Sequence, residues 1–366
     1  VATQAANGTN SKDSDRQAIQ DEIDQLTTEI DRVSETTKFN ETYLLKGDKG
    51  ATKNVYMNGH DAGLKGTLTD SAKSATFVMD ELKAGNKVTI AGKEYSIGST
   101  VADAKASYAK AADGDKVTID GTEYTVVGAT GTEDAGANKL KVTSLDAKVK
   151  DGSVVSYKTS KLTVMTDKDT DGVDDDDSSV ISKDIAEGKI VSELTAANNI
   201  GTVNHAATVA KATADGKTTY TISKGYATVA DTLSFNLHVG ADADMTNKIN
   251  VSIDSMDSAS LGIKGLNIKD DSGNAATYAV DAISDAISKV SSQRSSLGAV
   301  QNRLEHTINN LDNVVENTTT AESRIRDTDM AKEMVNYSKN NILAQAGQSM
   351  LAQANQSNQG VLSLLQ

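Results

Sequence analysis

The stretch that decides the fold is AISDAISKVSSQRSSLGAVQNRLEHTINNLDNVV, residues 282–315. Its apolar residues recur at spacings of three and four, which is the pattern of a long helix in a bundle or coiled coil. One residue, Arg294, interrupts this seam. The seam comprises Ile283, Ile287, Val290, Leu297, Val300, Leu304, Ile308, Leu311 and Val314. The sequence therefore predicts a long helix from about residue 275, and a second helical region over residues 323–365.

The N-terminal end of the chain has the same period. Apolar residues at spacings of 4, 3, 4 and 3 predict a helix over about residues 14–33, and they are Ile19, Ile23, Leu26, Ile30 and Val33. Because the two ends share this period, we expect them to fold back on each other as an antiparallel bundle.

A further apolar stripe at helical spacing lies close to the C-terminus. It consists of Leu343, Ala346, Met350, Ala354, Val361 and Leu365. The polar residues beside it are Gln, Asn and Ser rather than Lys and Arg, which disfavours a helix lying on a membrane surface. Two interpretations stay open: the stripe is the core of an intramolecular bundle, or it is an interface between copies of the chain.

The middle of the chain has a different composition and pattern, with short alternating runs of Val, Thr, Lys, Asp and Gly. One segment, GNKVTIAGKEYSI at residues 85–97, is repeated as GDKVTIDGTEYTV at residues 114–126. Each copy alternates apolar and polar residues around a two-residue turn, which predicts a β-hairpin. Further strands are predicted at residues 139–143, 153–158, 161–165, 218–222 and 232–239, and helices at residues 70–83 and 101–110. The predicted fold class is α+β, an elongated antiparallel helical rod with a β-rich outer domain inserted between its two ends.

Composition excludes several functions. The net charge of −14 and the pI near 4.8 argue against nucleic acid and against anionic membranes as partners. The chain has no Cys, so it has no thiolate ligand or nucleophile, and its four His are not in a zinc-binding spacing. No phosphate-binding loop or nucleophile motif occurs. These patterns therefore predict no catalytic residues.

One acidic segment is a candidate calcium loop, DKDTDGVDDDD at residues 167–177. Asp167, Asp169 and Asp171 occupy positions 1, 3 and 5 of such a loop, and Gly172 provides the turn at position 6. Val173 and Asp175 would supply the ligands at positions 7 and 9. Position 12 holds Ser178 instead of an acidic residue, and the sequence predicts no flanking helix. The alternative is a solvated acidic loop that binds ions loosely; no other cofactor is expected.

The two ends of the chain resemble bacterial flagellins. VATQAANGTNSKDSDRQAIQDEIDQLTTEIDRVSETTKFNETYLL, residues 1–45, resembles the N-terminal rod segment of that family. SSLGAVQNRLEHTINNLDNVVENTTTAESRIRDTDMAKEMVNYSKNNILAQAGQSMLAQANQSNQGVLSLLQ, residues 295–366, is similar to its C-terminal region. LHVGADADMTNKINVSIDSMDSASLGIKGLNI, residues 237–268, resembles the β segment that precedes it. The likeness covers about residues 1–46 and 233–366.

The resemblance implies a domain plan. Residues 1–46 would form the N-terminal rod helix and the turn after it, and residues 47–232 a variable outer domain of one or two subdomains. Residues 233–322 would form the return β segment and the C-terminal rod helix, and residues 323–366 the filament-core helix. The chain begins at Val1, partway through the family pattern, so an N-terminal truncation is expected. That truncation would leave the C-terminal stripe without its partner helix in the same chain.

The resemblance also implies a function and partners. The chain would be a structural subunit of the extracellular flagellar filament, exported without a cleavable signal peptide and polymerising through its terminal helices for motility. Its partners would be other flagellin subunits, an export chaperone, a cap protein and a Toll-like innate receptor. Gln4, Ile19 and Glu22 match positions of the surface that this receptor recognises. The alternative function is a glycan- or calcium-binding module carried on the filament surface.

Overall fold

The computed structural model describes residues 1–6, 13–240, 247–269 and 273–364. Its residues form two compact units. The first consists of Val1–Ser234 and Ser252–Arg294, and the second of Phe235–Val251 and Ser295–Gln366. Within the described ranges, no helix has the length and hydropathy that crossing a membrane requires.

As predicted, the described residues form helices at the two ends of the chain and a strand-rich region in the middle. The helices are α1 (Ala2–Ala6), α2 (Asp13–Thr36), α3 (Val101–Tyr108), α4 (Val142–Asp146), α5 (Lys183–Asn198), α6 (Ser258–Leu261) and α7 (Asn274–Leu364), with a 3₁₀ turn at Ala135–Ala137. The strands are β1 (Lys38–Phe39), β2 (Thr42–Tyr43), β3 (Asp48–Tyr56), β4 (Thr67–Asp70), β5 (Ser74–Asp80), β6 (Lys87–Ile90), β7 (Lys93–Ile97), β8 (Lys116–Ile119), β9 (Thr122–Val126), β10 (Lys139–Leu140), β11 (Val154–Tyr157), β12 (Ser160–Thr163), β13 (Val180–Ile181), β14 (Thr208–Ala214), β15 (Lys217–Ser223), β16 (Tyr226–Asp231), β17 (Leu233–His238) and β18 (Lys248–Ile253). The α+β class is therefore confirmed.

A shared apolar core joins α2 to the first turns of α7. Ile23 of α2 is buried in one cluster with Ile268 and with alanines along α7, including Ala279. Gln20 fixes this packing, because its side-chain amide donates to the carbonyl of Leu266 at 2.7 Å and accepts from the N–H of Ile268 at 2.9 Å. Both helical ends of the chain thus contribute to one core of the first unit.

The predicted seam of α2 is only partly covered. Ile23 is 5% exposed, but Leu26 and Val33 remain 50% and 42% exposed. A heptad seam normally faces a partner along its whole length. The uncovered positions of α2 are therefore available to a neighbouring helix.

A second core lies under a four-stranded sheet of order β14-β15-β5-β4. Phe77 of β5 and Tyr220 of β15 are fully buried there, paired across the two strands. The helix predicted over residues 70–83 is wrong. Over residues 74–78, buried side chains alternate with half-buried ones, and β5 is paired by β4 on one edge and by β15 on the other. A period of two therefore overrides the helix-compatible composition of this segment.

Helix α5 covers this core and was not predicted. Its buried side chains Ala186, Ile190, Leu194 and Ala197 follow a helical period of three to four residues. Ser182 caps its first turn, since its side-chain oxygen accepts from the N–H of Ile185.

The two predicted hairpins are confirmed as β6–β7 and β8–β9. A third core lies under the sheet that contains the second hairpin, of order β10-β9-β8-β11-β12. The strand predicted over residues 139–143 is shorter than expected. It ends at Leu140, and α4 begins at Val142. The helix predicted over residues 101–110 is confirmed as α3, whose first turn is closed by a capping box between Thr100 and Asp103.

Helix α7 spans both units and runs unbroken through residues 322 and 323. The long helix and the second helical region predicted from the sequence are thus one element. The segment between them contains Thr318, Thr319 and Thr320, whose β-branched side chains lower helix propensity only slightly, and no proline. The helix therefore does not break at residue 322, where the sequence pattern predicted a second helical region, and the domain boundary that the family resemblance implies there stays a prediction.

The second unit also contains most of the β17–β18 pair. The strand predicted over residues 232–239 is confirmed as β17, and Val239 donates to the carbonyl of Asn247 at 2.9 Å. Along β18, Ile249, Val251 and Ile253 alternate with exposed residues and are buried. This alternation is typical of a strand with one covered face.

Candidate assembly and recognition surfaces

The C-terminal stretch of α7 exposes its apolar side chains. Leu343, Met350 and Val361 of the predicted stripe are 59%, 67% and 57% exposed. Ala346 and Ala354 are exposed as well, whereas Leu365 lies outside the described residues. Burying one large aliphatic side chain stabilises a protein by about 1.5–3 kcal/mol. The stripe is therefore a large uncovered apolar surface on a single chain.

Apolar side chains also occupy other sides of this helix, which the sequence analysis did not consider. At 3.6 residues per turn, Ile342 and Val335 lie roughly 80–100° around the axis from Leu343, and Met334 lies on the opposite side. These three side chains are 65–68% exposed. A helix that is apolar on several sides is normally buried. This stretch of α7 is thus suited to be covered from more than one direction.

The residues predicted for receptor recognition lie on two helices. Gln4 is exposed on α1, and Glu22 is exposed on α2. Ile19 is half-buried and packs against the core that joins α2 to α7. The two polar residues are thus accessible to a partner, whereas Ile19 contributes mainly to packing.

The acidic loop brings three of its predicted ligands together. Asp167, Asp169 and Asp171 each contribute one carboxylate oxygen to a cluster in which all three oxygens lie within 4.8 Å of one another. Gly172 has a φ of +79°, the left-handed turn that position 6 of a calcium loop requires. Its N–H donates to Asp167 Oδ2 at 3.0 Å, while the N–H of Val173 donates to Asp171 Oδ1 at 2.8 Å. These bonds orient the carboxylates toward one point.

The remaining predicted ligands are less well placed. Asp175 Oδ2 accepts from the N–H of Lys168 at 2.9 Å, so one of its oxygens is engaged. Val173 forms a bridge to Ile181, which ties the loop to β13. As expected, no helix directly flanks the loop among the described residues, because it lies between β12 and β13, and α5 begins only after β13, at Lys183.

A neighbouring residue, Asp174, organises the loop and was not recognised in the sequence. It is 5% exposed, and its carboxylate accepts from the N–H groups of Thr166, Asp176 and Asp177. Its position in a run of four Asp hid this role. Asp177 stays ionised in the same run, since hydrogen bonds from the Ser179 side chain and backbone lower the pKa of its carboxyl.

Comparison with known proteins matches both ends of the chain to one family. Residues 280–365 match the model of the bacterial flagellin C-terminal helical region, and residues 1–50 match that of the bacterial flagellin N-terminal helical region.

Similar proteins extend this match along the chain. A flagellin of Clostridium tyrobutyricum is 34% identical over 369 residues, which cover 98% of this chain and 76% of the relative. A flagellin of Bacillus subtilis (strain 168) is 48% identical over 38% of this chain and 52% of its own length. The flagellar filament 33 kDa core protein of Treponema phagedenis is 48% identical over 37% of this chain and 48% of its own length.

The regions that match the family coincide with the helical ends of the structure. Flagellins are structural proteins without enzymatic activity, and the matched regions include α2 and the exposed stretch of α7. This chain belongs to the bacterial flagellin family and is a structural subunit of the extracellular flagellar filament, where it assembles with other flagellin subunits.

Proposed function

We propose that this chain polymerises through the exposed apolar surface of α7 and that the resulting filament serves motility. The observation that carries the proposal is the exposure of Leu343, Met350 and Val361, together with apolar side chains on other sides of the same helix. Contiguous apolar surface of this extent on a monomer marks an interaction site. Neighbouring subunits would cover the helix from several directions.

The test is polymerisation of the full chain and of variants on this surface. A kosmotropic salt such as ammonium sulfate strengthens apolar association and provides the polymerising condition. Pelleting measures the polymer, and negative-stain electron microscopy shows whether it is filamentous. Filaments that form equally well when the apolar surface of α7 carries a charge would contradict the proposal.

Two transient partners are proposed as well, one from this surface and one from the family resemblance. We propose that an export chaperone covers the apolar side chains of α7 before polymerisation, and that the chain travels through the flagellar export channel to a cap protein. An uncovered apolar helix is prone to aggregate, which supports the need for a chaperone. The family resemblance supports the cap.

A Toll-like innate receptor is proposed as a recognition partner of α1 and α2. The exposure of Gln4 and Glu22 supports this proposal, because both side chains are accessible for polar contacts. The half-buried position of Ile19 gives it a supporting role, in which it keeps α2 packed so that the polar residues face outward.

Glu22→Ala is expected to reduce signalling by the receptor about tenfold or more, because a hydrogen bond to a charged group contributes about 1.5–3 kcal/mol. The measurement is the half-maximal concentration of purified chain on receptor-expressing reporter cells. Glu35→Ala is the control, since Glu35 is also an exposed glutamate of α2 but lies about 140° around the axis from Glu22, and its exposed ion pair with Lys46 contributes little to stability. Equal loss in both variants would exclude a specific role for Glu22.

The second candidate is a ligand-binding module on the filament surface, for which calcium has the better support and glycans remain the alternative ligand. Asp167 Oδ1 is buried and has no hydrogen-bond partner among the described residues, and it lies beside the carboxylates of Asp169 and Asp171. An unsatisfied buried carboxylate oxygen is costly, and a divalent cation would satisfy it. The loop lacks an acidic ligand at position 12, so we expect weak binding.

Calcium at about ten times its dissociation constant is expected to stabilise the first unit by about 1.4 kcal/mol and to raise its melting temperature by roughly 3–5 °C. Asp169→Ala removes a ligand and should abolish the rise, whereas Asn would keep an oxygen that calcium accepts. Asp176→Ala is the control, because Asp176 is an exposed residue of the same acidic run outside the carboxylate cluster. Differential scanning calorimetry with calcium and with magnesium measures the effect. An equal rise in the Asp169 variant would show loose ion binding only.

A further inference from the structure

The duplicated hairpin is repeated in the structure down to its backbone. Gly85 and Gly114, which precede the two hairpins, have φ angles of +83° and +84°. The lysine that opens each hairpin reaches a glutamate diagonally across the two strands at 2.6 Å, as Lys87–Glu94 in the first copy and Lys116–Glu123 in the second. The two copies therefore share backbone conformation and cross-strand contacts, and each provides a reference for the other.

The match extends to a third strand and a helix. In the first copy, β13 lies parallel to β7, with Ile181 opposite Ile97. In the second copy, β10 lies parallel to β9, with Leu140 opposite Val126. A helix follows each third strand, α5 in the first copy and α4 in the second.

The two copies differ on the other side of the hairpin. In the second copy, β11 pairs antiparallel with the outer edge of β8 and places Ser156 opposite Thr118. Asp120 adds a further bond, since its N–H donates to the carbonyl of Val154 at 2.9 Å. In the first copy, β6 is the last strand of its sheet, and no described residue pairs with its outer edge.

The backbone of β6 has N–H and C=O groups that point outward, as pairing with a further strand requires. Ala91 and Gly92 form a two-residue turn with positive φ, so Ile90 and Lys93 flank it as a hydrogen-bonded pair. Because hydrogen-bonded pairs alternate along an antiparallel ladder, the N–H and C=O of Thr89 point away from β7. Thr89 corresponds to Thr118, whose outward groups face β11.

Side-chain burial also differs between the strands β8 and β6 of the two copies. Val117 of β8 is fully buried, whereas its counterpart Val88 in β6 is only half-buried. Thr118 is half-buried, and its counterpart Thr89 is exposed. An open groove of about 920 Å³ runs along β6, and the buried side chains of Leu64 and Leu82 contribute to its lining. The space that β11 fills in the second copy is thus open in the first.

We propose that the outer edge of β6 binds an extended peptide segment of a separate partner protein as an antiparallel strand. The second copy shows what fits this edge. Val155 lies opposite Ile119 and is buried in the core, and Tyr157 lies opposite Val117 and packs against the same core. The partner therefore has apolar side chains opposite Ile90 and Val88, with a polar residue between them that pairs with Thr89. Backbone bonds supply affinity, and the two apolar side chains supply specificity.

The probe is a fluorescein-labelled peptide with the sequence of residues 152–158, GSVVSYK, which contains β11. Fluorescence anisotropy with the full chain is expected to show saturable binding. Val155→Asp in the peptide should weaken binding at least tenfold, because its charge would face Ile90. No saturable binding up to about 1 mM peptide would overturn the proposal.

Thr89→Pro in the full chain tests the edge itself. Proline removes the outward N–H and leaves the bonds between β6 and β7 intact, so binding should weaken at least tenfold. Thr213→Pro is the matched control, because Thr213 also lies one residue before the pair that flanks a two-residue turn, on the outer edge of β14. Unchanged affinity in the Thr89 variant, or an equal loss in both, would overturn the proposal.

Amide hydrogen exchange decides the question even if the Thr89 variant folds poorly. In the unsubstituted chain, the peptide should slow exchange at Thr89 and Ala91 at least tenfold and leave Thr213 unchanged. Protection confined to other residues would overturn the proposal. If the chain alone associated through the same edge, with Thr89→Pro remaining monomeric, the occupant would be a second copy and the separate partner would be excluded.

Discussion

Leu343→Asp is expected to abolish sedimentable polymer, or to raise the critical concentration for polymerisation about 100-fold. Leu343 is 59% exposed in the single chain and belongs to the apolar stripe of α7. If neighbouring subunits cover this stripe, the substitution buries an unpaired carboxylate in each contact. Such burial costs several kcal/mol, and about 3 kcal/mol corresponds to roughly a 100-fold change in an association constant.

Gln345→Asp provides the control for this prediction. Gln345 is also exposed and lies two residues further along the same helix, roughly 160° around the axis from Leu343. Its nearest neighbours on that side, Asn341 and Gln348, are polar, and the apolar side chain of Ile342 lies about 60° away. A charge at Gln345 should therefore raise the critical concentration far less than Leu343→Asp does, by about threefold, because polar neighbours and water can solvate it.

Pelleting across a concentration series gives the critical concentration of each variant, and electron microscopy identifies the filaments. Circular dichroism checks that both variants keep the helix content of the unsubstituted chain. If Gln345→Asp inhibited assembly as strongly as Leu343→Asp, net charge rather than the apolar stripe would govern polymerisation. If neither variant inhibited assembly, α7 would not be the assembly surface.

The helical ends were predictable from the sequence because their signal is long. The seam of α7 repeats over several heptads, and that of α2 holds from Ile19 to Val33. Such a pattern averages over many residues, so the interruption at Arg294 does not hide it. The sequence did not reveal that α7 would be continuous, because the polar segment around residue 320 has no apolar period of its own.

The strand-rich middle was less predictable because its elements are short. Within residues 74–80, the buried side chains of Ala75 and Phe77 alternate with less buried ones. The composition of the segment is nevertheless also compatible with a helix. Pairing with β15, which follows more than 130 residues later, decides the outcome, and local sequence does not contain that information. The repeated hairpins were predictable because their turns have a strong local signature.

The acidic loop shows the same division between local and long-range information. Spacing alone placed Asp167, Asp169 and Asp171 together, since positions 1, 3 and 5 of such a loop are set by the local turn. The role of Asp174 depends on the N–H of Thr166 and on its burial beneath the loop. Only the folded chain distinguishes it from its acidic neighbours.

Gly201→Ala is expected to destabilise the first unit by about 2–5 kcal/mol and to lower its melting temperature by roughly 5–15 °C. Gly201 follows α5 with a φ of +73°, a conformation that strains any residue with a Cβ. It also packs against the backbone of Gly262, which ends α6. A Cβ at Gly201 would lie 2.2 Å from the carbonyl oxygen of Gly262. The backbone cannot rotate away as a side chain would, so α5 and α6 must separate.

Gly216→Ala separates the two causes of this loss. Gly216 has almost the same φ, +72°, but a Cβ there would meet no atom within 4 Å. Its substitution should cost only the backbone strain, about 1–2 kcal/mol. Calorimetry of both variants measures the difference, and equal losses would show that the contact with Gly262 contributes nothing. A larger loss at Gly201 would show that the contact with Gly262 helps to hold two cores together. The adjacent Ile200 packs against both of them, the core under the four-stranded sheet and the core that joins α2 to α7. Separating the backbones at this point would loosen the four-stranded sheet from α2 and α7.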